Sequence, residues 1–134
     1  MIGSLDQTLQ FNATALRLRA DRQQLLAANI ANADTPGFKA VDFDFGRALE
    51  SATRSSGSTS AARLAATAPT HLGGTLSSAS ATLAFRTPSQ ASIDGNSVEM
   101  DAERAQFADN AVRYEAALKF LNGQIKTILS AIQG

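Results

Sequence analysis

"NSVEMDAERAQFADNAVRYEAALKFLNGQIKTILSAIQ", Asn96 to Gln133, decides the fold. Met100, Phe107, Tyr114, Leu121 and Ile128 stand seven residues apart, and Ala111, Leu118, Ile125 and Ile132 fill companion positions four residues on. Such a seam, held for about five heptads, predicts a coiled-coil helix. Gly123 is a weak point in it, costing about 1 kcal/mol against alanine. Asp94-Gly95 marks a turn just before the helix. Asn96 with Glu99, or Asp101, can cap it, and the pattern does not choose between them.

A second long helix is predicted from Leu5 to about Ala33. Ser4 followed by Gln7 has the form of a capping box. Ile2, Leu5, Leu9, Leu16, Leu26 and Ile30 make one apolar stripe, interrupted by Asn12, Arg19 and Gln23. Phe11, Leu18 and Leu25 make another at seven-residue spacing. Two stripes are wider than the single apolar face a surface helix buries. One partner helix covers one stripe, so the second is expected to need other chains.

Between the helices, Ser51 to Ile93 holds 10 Ser, 7 Thr and 10 Ala among 43 residues, and no acid. So little apolar area does not offset the entropy of ordering, and this zone is expected to be irregular. Leu64, Leu72, Leu76, Leu83 and Phe85 are its candidates for docking. The expected organisation is residues 1–35 as an N-terminal helix, 36–95 as a turn, a short extended segment and a middle region, and 96–134 as a coiled-coil helix. The fold class is mainly α. The long terminal helices pair as a coiled-coil-like unit around a Ser/Thr/Ala-rich middle of irregular chain and short strands.

The bulk numbers exclude several functions. Twelve basic residues balance twelve acidic ones, so the phosphate-driven affinity of a nucleic-acid binder has no visible source. There is no cysteine, and hence no thiolate metal site or thiol nucleophile. No apolar run approaches the roughly 20 residues that span a bilayer. "MIGSLDQTLQ" does not read as a cleaved leader. The single histidine, His71, stands in a loop-like stretch with no partner for catalysis. Asp42 and Asp44 share one side of an expected strand from Val41 to Phe45, but no third oxygen ligand stands nearby. No catalytic residue, cofactor site or metal site is expected.

"NIANADTPGF", Asn29 to Phe38, ends the first helix with two amides one turn apart. Thr35 before Pro36 is pushed out of the helical region, and Pro36-Gly37 suits a type II turn. "LAANIANADTPGFKA", Leu26 to Ala40, resembles the N-terminal signature of the bacterial flagellar rod and hook family of axial proteins. "DFDFGRALE", Asp42 to Glu50, and Phe85 to Gln133 are similar to rod members of that family. The middle matches only loosely, around "TAPTHLGG", Thr67 to Gly74.

The resemblance implies a structural subunit of the rod, not an enzyme. It implies terminal helices that pair and pack with neighbours into a helical tube. Asn29, Asn32, Asp34, Thr35, Pro36, Gly37 and Phe38 would then set where the chain leaves the helical layer. The assembly interface would be Leu5, Leu9, Phe11, Leu16, Leu18, Leu25, Leu26 and Ile30 on the first helix. On the last it would be Phe107, Tyr114, Leu118, Leu121, Ile125, Ile128 and Ile132. Implied partners are copies of itself, other proximal rod subunits, the adaptor at the rod base and the export apparatus. The implied location is the periplasm-spanning rod, reached without a cleaved leader. Independently of the resemblance, Arg17, Arg19 and Arg22 with Asp21 read as a solvated or inter-subunit face that could meet Glu99, Asp101, Glu103 or Asp109 of a neighbouring chain, although the helix dipole by itself accounts for Glu99 and Asp101. The alternative is a small helical adaptor or chaperone-like module that binds one partner helix.

Overall fold

The computed structural model describes residues 2–56, 82–87 and 93–134. Helix α1, Ile2–Ala31, leads to strand β1, Val41–Asp42, and helix α2, Phe45–Ser56. Strand β2, Ala84–Phe85, and helix α3, Met100–Gln133, complete the order. At 1.5 Å per residue α1 and α3 are roughly 45 and 50 Å long. They run antiparallel, because Asn12 bonds Gln124, Gln23 bonds Asn110 and Asn29 bonds Glu103. The first stripe of α1 thus faces α3 along the interrupted row Asn12, Arg19 and Gln23.

Helix α1 begins at Ile2, so Ser4 lies inside its first turn and not at the cap, and its carbonyl accepts the Thr8 hydroxyl. Past Ala31, Phe38 N–H donates to Thr35 O at 3.2 Å, and Gly37 sits at φ 73°. That is the type II turn expected at Pro36-Gly37, with glycine where φ must be positive. At the start of α3, Glu99 holds the cap position with extended backbone, but its side chain makes no capping bond. Neither Asn96 nor Asp101 takes that place.

Two expectations fail around residues 41–56. The extended strand does not reach Phe45, and the small-residue zone does not begin as irregular chain. Asp44 Oδ1 accepts the Arg47 N–H at 3.1 Å and caps a helix that runs from Phe45 to Ser56. Phe45, Ala48, Leu49 and Ala52 fall on one face of α2, and Arg47, Glu50 and Arg54 fall outside. Leu18, Phe43 and Ala48 form a buried cluster, with Leu25, Phe45 and Leu49 packed against it. The second stripe of α1 therefore has a cover inside the chain. Leu18 is 2 % exposed and Leu25 is half-buried, while Phe11, beyond the reach of α2, remains 46 % exposed.

Strands β1 and β2 pair antiparallel, Val41 opposite Phe85 and Asp42 opposite Ala84. They bring the two ends of the middle region together. Leu64, His71, Leu72 and Leu76 lie outside the described residues.

Candidate functional site: a locked junction and an open tip

The chain has two unlike ends. At one, the C-terminus of α1 meets the approach to α3. Asn29, 1 % exposed, donates to Val41 O at 2.9 Å and accepts from Val41 N at 3.0 Å. Its amide thus pairs with the backbone of β1 as a neighbouring strand would. The same Nδ2 reaches the Glu103 carboxylate at 3.3 Å. Asn32 turns back to Ala28 O at 2.8 Å, and its oxygen accepts the Thr35 hydroxyl. Asp34, Thr35 and Pro36 are exposed; Phe38 is half-buried.

Asn96 supplies the missing cap from across the molecule. Its Nδ2 donates to Asn32 O at 3.1 Å, Ala33 O at 2.7 Å and Thr35 O at 2.8 Å. These carbonyls lie past the helix end; Asn32 O and Thr35 O also accept the Thr35 and Phe38 N–H groups. Gly37 N–H donates to Asp94 O, Ser97 N–H donates to Phe38 O, and Ala40 N–H donates to Ser97 Oγ. The stretches 29–40 and 94–97, which both carry the family resemblance, are therefore the two halves of one joint. Neither half is self-sufficient in hydrogen bonds.

Beside this joint lies a half-buried ionic cluster. Arg22 binds Asp42 through two bonds, at 3.0 and 2.9 Å. Arg86 binds Asp42 with one nitrogen and Glu103 with the other. Gln106 Oε1 accepts from both arginines, at 3.0 and 2.9 Å. Glu103 is 1 % exposed. Burial by itself raises the Asp42 carboxyl. The bonds from Arg22, the Phe43 N–H and Arg86, with the charge of Arg22, outweigh it and leave the carboxyl below its ordinary value. The hydrogen bond to Asp42 likewise raises Arg22. The cluster ties α1, β1, the residue after β2 and α3 at one point.

Arg22, Asp42, Arg86, Glu103 and Gln106 were not foreseen as a site. The apolar pattern gave no signal of Glu103, because it sets the companion row four residues after the heptad row and Glu103 stands three after Met100. The expected meeting of Arg19 with a neighbour's Glu103 does not fit, because Glu103 is enclosed with Arg86. Arg19 instead stacks on Phe45, 4.2 Å from the ring centre. Burial, and then the charge of Arg113, lower its pKa.

At the other end, α1 and α3 run on without a covering layer among the described residues. Leu5, Leu9, Phe120, Gly123 and Ile128 line an open groove of about 500 Å³ together with Thr8, Lys119, Gln124 and Thr127. Leu5, Phe11, Phe120 and Leu129 are each 46 % exposed or more. Of the expected interface residues, Leu18 and Leu26 are buried inside the chain, and so are unavailable to neighbours without rearrangement. Leu9, Leu16, Ile30, Phe107, Tyr114, Leu121 and Ile128 are half-buried.

The seam itself is corrected in part. Phe107, Tyr114, Leu121 and Ile128 keep their place near α1. The inward companion row is three residues on from the heptad row, namely Glu103, Asn110, Ala117 and Gln124. Leu118, Ile125 and Ile132 are 37, 41 and 77 % exposed. Among the described residues no group of three or more histidine, cysteine, aspartate or glutamate side chains is placed to hold a metal, and no helix is long and apolar enough to cross a membrane.

A family model described as "Flagella basal body rod protein" matches residues 9–39, which span α1 and its turn. The flagellar basal body rod protein FlgB of Escherichia coli (strain K12) is 47 % identical over 135 residues, covering 99 % of this chain and 98 % of that protein. The chain belongs to the FlgB family of flagellar basal body rod proteins. FlgB of Salmonella typhimurium is 45 % identical over 136 residues, covering 100 % of this chain and 99 % of that protein. FlgB of Cereibacter sphaeroides is 42 % identical over 139 residues, with the same coverage. The likeness thus extends through the joint, the ionic cluster and the open tip of this FlgB-family chain.

Proposed function

We propose that this chain is a structural subunit of the proximal flagellar rod, which polymerises through its terminal helices and carries torque along the drive shaft. The observation that carries the reading is the open tip, where large apolar residues of α1 and α3 are exposed and no third layer covers them among the described residues. Exposed apolar surface on that scale marks an interface. Family membership says what kind of assembly the interface serves. Torque transmission asks for a subunit whose ends do not shear, and the buried joint with its ionic cluster supplies a rigid root for both helices.

Neighbours in this reading are copies of the chain, other proximal rod subunits and the adaptor at the rod base. The chain reaches the periplasm through the flagellar export apparatus. The adaptor or chaperone-like module is not favoured, since near full-length likeness to rod proteins covers both helices and the joint.

Leu118→Asp tests the reading, because Leu118 is on the surface of the single chain. A strain carrying it is expected to lose motility and to accumulate basal bodies that stop before the rod, while the purified variant keeps its helicity. Normal motility contradicts the proposal.

A further inference from the structure

The apolar pattern of α3 and its packing disagree on which row should face α1. The apolar row, Leu118, Ile125 and Ile132, is on the surface. The inward row holds Asn110 and Gln124. The two rows differ by one residue, so exchanging them while keeping Leu121 and Ile128 near the seam needs α3 to roll by about 50°. Burial of apolar area alone favours the rolled arrangement.

At the joint the roll is opposed by Glu103, held by Arg86 and Asn29, and beyond the joint by a matched set of amides on α1. Asn12 Nδ2 donates to Gln124 Oε1 at 2.8 Å. Asn110 Nδ2 donates to Gln23 Oε1 at 2.7 Å and to Arg19 O at 2.9 Å. Gln23 Nε2 donates to Phe107 O at 3.4 Å. Asn110 is 1 % exposed, and its own Oδ1 has no hydrogen-bond partner. A buried amide left half-satisfied is costly, so this row is not selected for stability alone. In the rolled arrangement Asn12 and Gln23 would face leucine and isoleucine and lose their partners.

We propose that Asn12 and Gln23 are positioning residues that set the rotation of α3 beyond the joint, where the Glu103 cluster no longer holds it. They draw its amides inward and thereby hold Leu118, Ile125 and Ile132 on the surface. The inference deepens the assembly reading, since that row is part of the open tip. It is tested on the dilute monomer, so that the rotation and the assembly fail separately.

The sequence has no cysteine, so Ile125→Cys gives a single thiol whose maleimide labelling rate reports the exposure of that row. The rate is measured on the full chain at a dilution where sedimentation shows one species. Asn12→Leu with Gln23→Leu removes the amides of α1 only; α3 is expected to roll and labelling to slow about tenfold, with helicity retained. Adding Asn110→Leu and Gln124→Leu removes the mismatch and is expected to restore the rate to within about twofold. A thiol placed instead by Ala116→Cys, on an exposed face, keeps its rate throughout. An unchanged rate in the one-sided variant overturns the inference, and so does a four-substitution variant that stays slow. Should the one-sided variant unfold, Asn12→Leu alone decides at the half-buried outer pair. Slower labelling there supports the inference, and an unchanged or faster rate overturns it.

Discussion

The joint and the tip invert the ordinary distribution of side chains. At the joint, Asn29, Asn96, Ser97 and Glu103 are buried and hydrogen-bonded, and short segments from four places in the chain depend on one another. At the tip, leucine, isoleucine and phenylalanine are in water beside a groove. Buried polar groups stabilise only when all partners are present, so the joint is unique in geometry and cannot be shared with another chain cheaply. Apolar surface is indifferent to partner identity and gains from any neighbour that fits. One end therefore fixes the subunit, and the other is left for its surroundings.

The largest loss of single-chain stability is expected on the joint side. Glu103→Ala empties a buried site and takes one of its partners from Arg86, which keeps Asp42 and Gln106, and chemical denaturation should show a loss of about 3 kcal/mol. A loss under 1 kcal/mol would mean that the cluster is well hydrated. Leu18→Ala, under α2, is expected to cost about 3 kcal/mol, which tests whether that helix covers the second stripe of α1. Asn96→Ala takes the side-chain donor from three carbonyls, of which Asn32 O and Thr35 O keep a backbone N–H, and should cost about 1–3 kcal/mol, with faster hydrogen exchange at residues 33–38.

Acid is expected to act through Asp42. Its folded carboxyl titrates below the unfolded value of about 3.9, so its stabilisation is complete above that pH and is lost as pH falls through the folded value. Melting temperature followed from pH 6 to pH 2.5 should show this loss, and Asp42→Asn should flatten it. The smallest stability effect belongs to the tip. Leu118→Asp is expected to change the stability of the dilute chain by about 0.5 kcal/mol or less and yet to abolish assembly. A large stability loss there would place Leu118 in the interior of the single chain.

Much of this division was legible in the sequence. The heptad row of α3 and the interrupted stripe of α1 specified two long helices and, through Phe107, Tyr114, Leu121 and Ile128, one row of the face on which they meet. Thr35-Pro36-Gly37 specified the corner, down to the positive φ at Gly37. Helix α2 was hidden because Ser51 to Ser56 continue it with residues of weak propensity, while its amphipathic face lies mostly in the preceding six residues. The joint was hidden for a different reason. Its bonds link residues 12 to 74 positions apart, and an amide gives no periodic signal of where its partner stands. The inward row of α3 was misread because periodicity ranks rows by apolar content, and here amides matched across two helices outrank it.

Amide hydrogen exchange read by mass spectrometry on the dilute chain, and again after assembly, tests the contrast between the two ends most directly. Residues 26–42 and 94–110 should exchange only by global unfolding in both states. Residues 3–12 and 118–133 should exchange far faster in the dilute chain and slow sharply on assembly. Equal protection of both ends in the dilute chain, with no change at the tip on assembly, would contradict the account.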